Sequence, residues 1–153
     1  MICYAVFDTN VIVSALLSKK EDSAAVLVIQ KMLAGDIIPV YSNSISNEYR
    51  EVLHRKKFHF DPGTVDYFIS AVEKIGILVD PTPLDITLPD MKDLPFYEVV
   101  MDTREKDAYL VTGNMKHFPS KPFIVTPREL LKILENHCSE NNIIGNGHKN
   151  SPK

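Results

Sequence analysis

Tyr4–Leu17, YAVFDTNVIVSALL, is the stretch on which the reading of this chain turns. It is apolar as far as Phe7, breaks at Asp8-Thr9-Asn10, and becomes apolar again from Val11. A short apolar run at the head of an α/β chain reads as a strand buried on both faces, which puts Asp8 at its carboxyl end. In open parallel sheets that edge holds the crevice where ligands collect. A carboxylate delivered there suggests a cation or a phosphate ester. Helix capping explains the same residues, because Asp, Thr and Asn are all good N-caps. Other carboxylates reaching the same place would separate the two readings.

The composition sets the frame. A chain of 153 residues with a hydrophobic fraction of 44% and a charged fraction of 24% fits one globular domain with a layered core. No run approaches the roughly 18 apolar residues of a membrane span. The opening residues lack the basic region and cleavage site of a secretory signal, so a cytoplasmic location is expected. Cys3 and Cys138 have no metal-ligand spacing and read as reduced thiols used as small apolar residues. A net charge of -3 argues against holding nucleic acid by bulk charge, although a local basic patch can still do so.

Further along, Ser23 to Leu33 predicts a helix capped by Asp22 or Ser23 and stopped at Gly35. Ile37 to Tyr41 predicts a strand, which Pro39 places near an edge or restricts to pairing on one side. Ser42-Asn43-Ser44 caps a helix to about Arg55 whose apolar stripe is Ile45, Tyr49, Val52 and Leu53. Glu48 falls within or beside that stripe; a carboxylate there is paired, protonated or metal-bound, or else lies at the margin and reaches water. Asp61-Pro62-Gly63 opens another helix that stops at Gly76, and Ile77 to Val79 is a short strand. A proline-rich loop from Asp80 ends in Asp90-Met91-Lys92-Asp93, ahead of a helix from about Pro95 to Thr103. Ala108 to Thr112 is a second central strand, closing on Gly113-Asn114 much as the first closes on Asp8. Phe123 to Val125 is the last strand, and Thr126-Pro127-Arg128-Glu129 is a capping box for a closing helix to about His137. The expected division is a domain over 1–137 and a loose polar tail over 138–153. Alternation of strands and helices points to a doubly wound α/β sandwich with a mostly parallel sheet.

Taken together and in order, these pieces resemble a PIN domain, the fold of many metal-dependent ribonucleases; the resemblance spans roughly residues 2 to 135. FDTNVIVSALL is similar to the family's first motif, SNSISNEYREVLHRKKF to its second, DMKD to its third and AYLVTGNMKHF to its fourth. The resemblance implies a three-layer α/β/α sandwich in which Asp8, Glu48 and Asp93 are catalytic metal ligands, with Asp90 beside Asp93. At the fourth position the family usually has Asp, and this chain has Asn114. One negative charge is therefore missing, which implies weaker metal binding that an Asp at 114 would restore. The resemblance further implies Mg²⁺ or Mn²⁺, since hard carboxylate ligands without a His or Cys cluster favour these ions over zinc. Thr9, Asn10 and Thr112 are candidates for orienting the ligands. Arg55, Lys56, Lys57, Lys116 and His117, with His54, Lys19 and Lys20, are candidate RNA contacts, although cations after a helix also suit its dipole. The closest-looking branch is that of toxin components of toxin-antitoxin pairs, which implies an RNA substrate, an antitoxin partner and a homodimer.

Other readings give these residues less to do. A haloacid-dehalogenase-like phosphatase wants a second Asp two residues after Asp8, where this chain has Asn10, and leaves Glu48 without a role. A receiver-type switch wants a Lys after the last strand, where Thr126-Pro127 stands. A PIN module that binds RNA or a partner without cutting fits Asn114 and remains the main rival.

Overall fold

The computed structural model describes residues 2–137. The expectations for the tail and for Cys138 lie outside those residues. Five strands form one sheet: β1 Cys3–Phe7, β2 Ile37–Tyr41, β3 Ile77–Leu78, β4 Tyr109–Val111 and β5 Ile124–Val125. Their order is β3-β2-β1-β4-β5 and every pairing is parallel. The helices are α1 Thr9–Leu17, α2 Ala24–Leu33, α3 Asn43–Leu53, α4 Pro62–Ile75, α5 Leu94–Asp102 and α6 over 127–137. This is the expected α/β/α architecture.

Sequence order explains where the crevice lies. From β1 the chain moves outward through β2 to β3, crosses back by α5, and then builds β4 and β5 on the other side of β1. The direction of winding therefore reverses between β1 and β4, and the carboxyl ends of those two strands flank the point where open α/β sheets bind ligands. Ala5, Val6, Leu110 and Val111 are completely buried, which is why both strands read as continuous apolar runs. The amide of Asp8 continues the ladder by donating to the Val111 carbonyl at 2.9 Å.

Local chemistry sets the helix boundaries. Ser23 and Ser42 cap α2 and α3 by accepting from the amides of Val26 and Ile45, and Asp61 caps α4 through the amide of Thr64. At α6 the capping box closes in both directions, the amide of Thr126 donating to Glu129 Oε1 at 2.9 Å and that of Glu129 to Thr126 Oγ1 at 3.2 Å. The third helix stops at Leu53, short of Arg55, because Arg55 is already extended and Lys56–Phe58 forms a separate 3₁₀ turn. Phe123 likewise stays outside β5. Among the described residues, no helix is long and apolar enough to cross a membrane.

Pro39 lies near an edge of the sheet, as expected. Strand β2 is second from the edge and paired on both sides, with Pro39 opposite Ala5 of β1. The proline is tolerated because β3 pairs only with Val40 and Tyr41, so nothing on that side requires an N–H from Pro39. Gly76, which ends α4, passes so close that a Cβ there would lie 2.6 Å from the Val72 carbonyl oxygen and 2.7 Å from that of Pro39. Both obstacles are backbone. Gly76→Ala should therefore destabilise the fold by about 1–3 kcal/mol, read as a lower urea midpoint with an unchanged slope.

Candidate active site at the carboxyl edge of the sheet

Asp8, at the end of β1, is 5% exposed, and its side chain does not cap α1. Its Oδ2 accepts instead from the Thr112 hydroxyl at 2.8 Å and the Asn10 amide at 3.3 Å. Thr112, completely buried beyond the end of β4, also accepts from the amide of Asn114 at 3.0 Å. The other end of the Asn10 side chain accepts from the Gly113 amide at 3.1 Å. Asn10 and Thr112 thus clamp the two strand ends together around the Asp8 carboxylate. The position a phosphatase would fill with a second acid is occupied here by an amide holding the crevice walls.

Glu48 comes in from α3. The buried stripe of that helix is Ile45, Tyr49 and Leu53, and Glu48 sits half-buried at its margin. Its carboxylate does not turn outward but accepts from the Thr9 hydroxyl at the start of α1. One residue on, the buried Tyr49 hydroxyl donates to the Phe7 carbonyl at 2.5 Å. The helix carrying Glu48 is thereby tied to the strand end carrying Asp8.

Asp93 ends the 3₁₀ turn Met91–Asp93 and precedes α5 without capping it. Asp90 caps the 3₁₀ turn itself, accepting from the Lys92 amide at 3.0 Å. The Asp93 Oδ2 lies 3.0 Å from His117 Nδ1. Asn114 turns its amide onto the same imidazole, 3.0 Å from Nε2. Asp90, Asp93 and His117 bring one ligand atom each within 4.8 Å of one another; Asp8 and Glu48 stand outside that group. His117, named from sequence as a candidate RNA contact, is half-buried beside these acids. The one signal for it was its spacing three residues after Asn114 on a turn that folds back.

All three carboxyls are harder to ionise than usual. Burial pushes Asp8 up to about 6, with repulsion from Asp93 and Glu48 adding to it and the Thr112 hydrogen bond opposing it. Burial also raises Glu48, against the Thr9 hydrogen bond, and Asp93 adds repulsion. Asp93 is raised by burial first, with its His117 hydrogen bond opposing and Asp90 repelling. Loss of water outweighs mutual repulsion at all three, because the acids are drawn in among packed elements. A cation binding here would relieve both, so this donor set fits a divalent metal.

The remaining candidates are more dispersed. Arg55 is exposed and pairs with Glu51 at 3.1 Å, yet it lines a concavity of about 380 Å³ together with Glu48, Asn47, Val52, Lys92 and Pro95. Lys92, which was not among the candidates from sequence, is a second cation in this lining. Lys57 lies over the ring of Phe58 at 5.0 Å, and His54 pairs with Asp66 at 3.0 Å. Lys19, Lys20, Lys56 and Lys116 are exposed.

The raised pKa of Asp8 has a consequence for stability. An acid with a folded pKa of about 6 and an unfolded value of 3.8 binds its proton more tightly when folded, so its contribution is complete below pH 3.8 and is lost as pH rises through 6. The difference amounts to about 3 kcal/mol. In chelator, Asp8→Asn should therefore melt at a higher temperature than wild type at pH 7.5, with the gap closing towards pH 4. A gap independent of pH would mean that Asp8 is not held in this way.

Comparison with known proteins agrees with this architecture. A family model described as a PIN domain matches residues 4–116, from the start of β1 through Asn114 to the turn that carries His117. No curated protein and no solved structure gives a match. PIN domains are generally metal-dependent nucleases, and this chain, matched over most of its length, belongs to the PIN domain family.

Proposed function

We propose that this protein is an endoribonuclease that hydrolyses RNA phosphodiesters with a divalent metal, Mg²⁺ or Mn²⁺, held by Asp8, Glu48 and Asp93. The observation that carries the reading is the convergence of these three carboxyls, each with a raised pKa, at the switch point of a parallel sheet. Drawing three mutually repelling acids together out of water is costly even with their hydrogen-bond partners, and a structural role would be served better by neutral residues. When bound, such a metal supplies an activated water and stabilises charge on the phosphate.

The chain's own residues then have definable parts. Asp8 is held in one orientation by Thr112 and Asn10, so its carboxylate needs little reordering to bind a cation. Thr9 does the same for Glu48. The concavity beside Glu48 extends the site beyond a single phosphate, and Arg55 and Lys92 on its walls suit the backbone of a polynucleotide. That extension favours a nuclease over a phosphatase. An antitoxin partner, a homodimer and a cytoplasmic location belong to this reading by resemblance to toxin components of the family.

Asn114 supports a second reading, a PIN module that binds RNA or a partner without cutting. Its side chain is engaged with His117 and adds no negative charge. The two readings separate in one experiment: wild type and Asp8→Ala are offered a mixed pool of single- and double-stranded RNA, each with Mn²⁺ and with chelator. Cleavage should need the metal and fall by on the order of 10²–10³-fold in Asp8→Ala. Equal silence from both folded proteins would leave the binding module.

A further inference from the structure

We infer that His117 is a metal ligand of this centre, so that an imidazole nitrogen joins Asp93 and Asp90 and turns the site's preference from Mg²⁺ towards first-row transition ions such as Mn²⁺. The inference rests on the metal-dependent reading above and specifies its ion.

Three observations carry it. First, the ligand atoms of Asp90, Asp93 and His117 all lie within 4.8 Å of one another, and they come from two separate parts of the chain, the turn before α5 and the turn after β4. Second, His117 Nδ1 and Asp93 Oδ2 are 3.0 Å apart. Neighbouring ligands in an octahedron with bonds of about 2.1 Å are separated by about 3.0 Å, so the pair already spans one edge of such a shell. Without the ion, the same separation serves a hydrogen bond. Third, the position where a carboxylate would complete the acidic set carries Asn114, and its amide packs on the His117 ring and helps hold it inward. Asp90 is held in place by the Lys92 amide, which donates to its Oδ1 at 3.0 Å.

Ligand chemistry then sets the ion. Mg²⁺ strongly prefers oxygen and keeps its waters, whereas imidazole is a favourable donor to transition ions. Replacing a fourth carboxylate with an imidazole therefore gives up charge, which Mg²⁺ needs most, and adds a donor that Mg²⁺ uses least. The sequence has no His or Cys cluster, yet the turn after β4 brings a single histidine, His117, to Asp93.

Pulsed electron paramagnetic resonance of the full chain loaded with Mn²⁺ tests this without reference to activity. Wild type should show ¹⁴N coupling from a bound imidazole. His117→Gln should lose it, while His54→Gln, a histidine paired with Asp66 on α4, should keep it. In His117→Gln, Mn²⁺ should bind about tenfold more weakly, with Mg²⁺ affinity within about twofold of wild type. Mn²⁺ that binds wild type, is lost in Asp8→Asn and shows no nitrogen coupling would overturn the inference and leave the metal-dependent reading standing. Coupling that survives in His117→Gln would overturn it as well. Absence of any Mn²⁺ binding by folded wild type would overturn both.

Discussion

A carboxylate kept out of water at the end of a central strand is the constraint on which the rest of this site depends. Asp8 is 5% exposed, and its proton is held to about pH 6. A charged group in such a place must be surrounded by donors or meet a cation. The donors present are few, one distant in sequence and one local: Thr112 lies 104 residues away and Asn10 only two. Those contacts in turn fix how β1 and β4 end, since Asn10 reaches Gly113 and Thr112 holds the amide of Asn114. Accommodating one acid thus organises the crevice.

The same logic extends outward to the helices. Tyr49 binds the carbonyl of the residue before Asp8, and its neighbour Glu48 takes the hydroxyl of the residue after it. Helix α3 is fixed to the strand end by two adjacent contacts, one holding the backbone and one the second acid. Asp93 arrives differently, on a short turn stiffened by the Asp90 cap. Two of the acids are therefore anchored by hydroxyls and the third by an imidazole. This asymmetry gives the centre two sides of different chemistry.

Several residues could be read two ways from sequence, and the physical reason differs in each case. Asp8 and Asp93 are good capping residues by type, but neither caps a helix with its side chain. In DMKD the capping and the pairing are divided between Asp90 and Asp93, and no rule of spacing says which acid takes which part. Glu48 was ambiguous because a helix margin permits either an outward or an inward rotamer; the Thr9 hydroxyl decides for the inward one. Pro39 suggested an edge because a prolyl nitrogen donates nothing, yet a neighbour as short as β3 leaves that nitrogen unasked. The basic run after α3 could be read as RNA contacts or as a solvated helix end, and its members differ: Arg55 joins the concavity, Lys57 covers Phe58 and Lys56 faces solvent.

The sequence by itself determined the alternation of strands and helices, the two apolar strands ending in polar residues, and the capping segments at Asp22-Ser23, Ser42-Asn43-Ser44, Asp61 and Thr126. These are properties of short windows, in which periodicity, proline and hydroxyl chemistry act over a few residues. It also determined that Asp8, Glu48 and Asp93 come in the order of a PIN domain, because the motifs that carry them are themselves local. Only the tertiary structure decided that burial outweighs repulsion in raising their pKa values, and that His117 stands against Asp93 with Asn114 beside it. Desolvation depends on every element packed around a group, and the pairing of Asp93 with His117 depends on where two turns 24 residues apart fold back over the same strand ends. Neither quantity belongs to any one stretch of the chain.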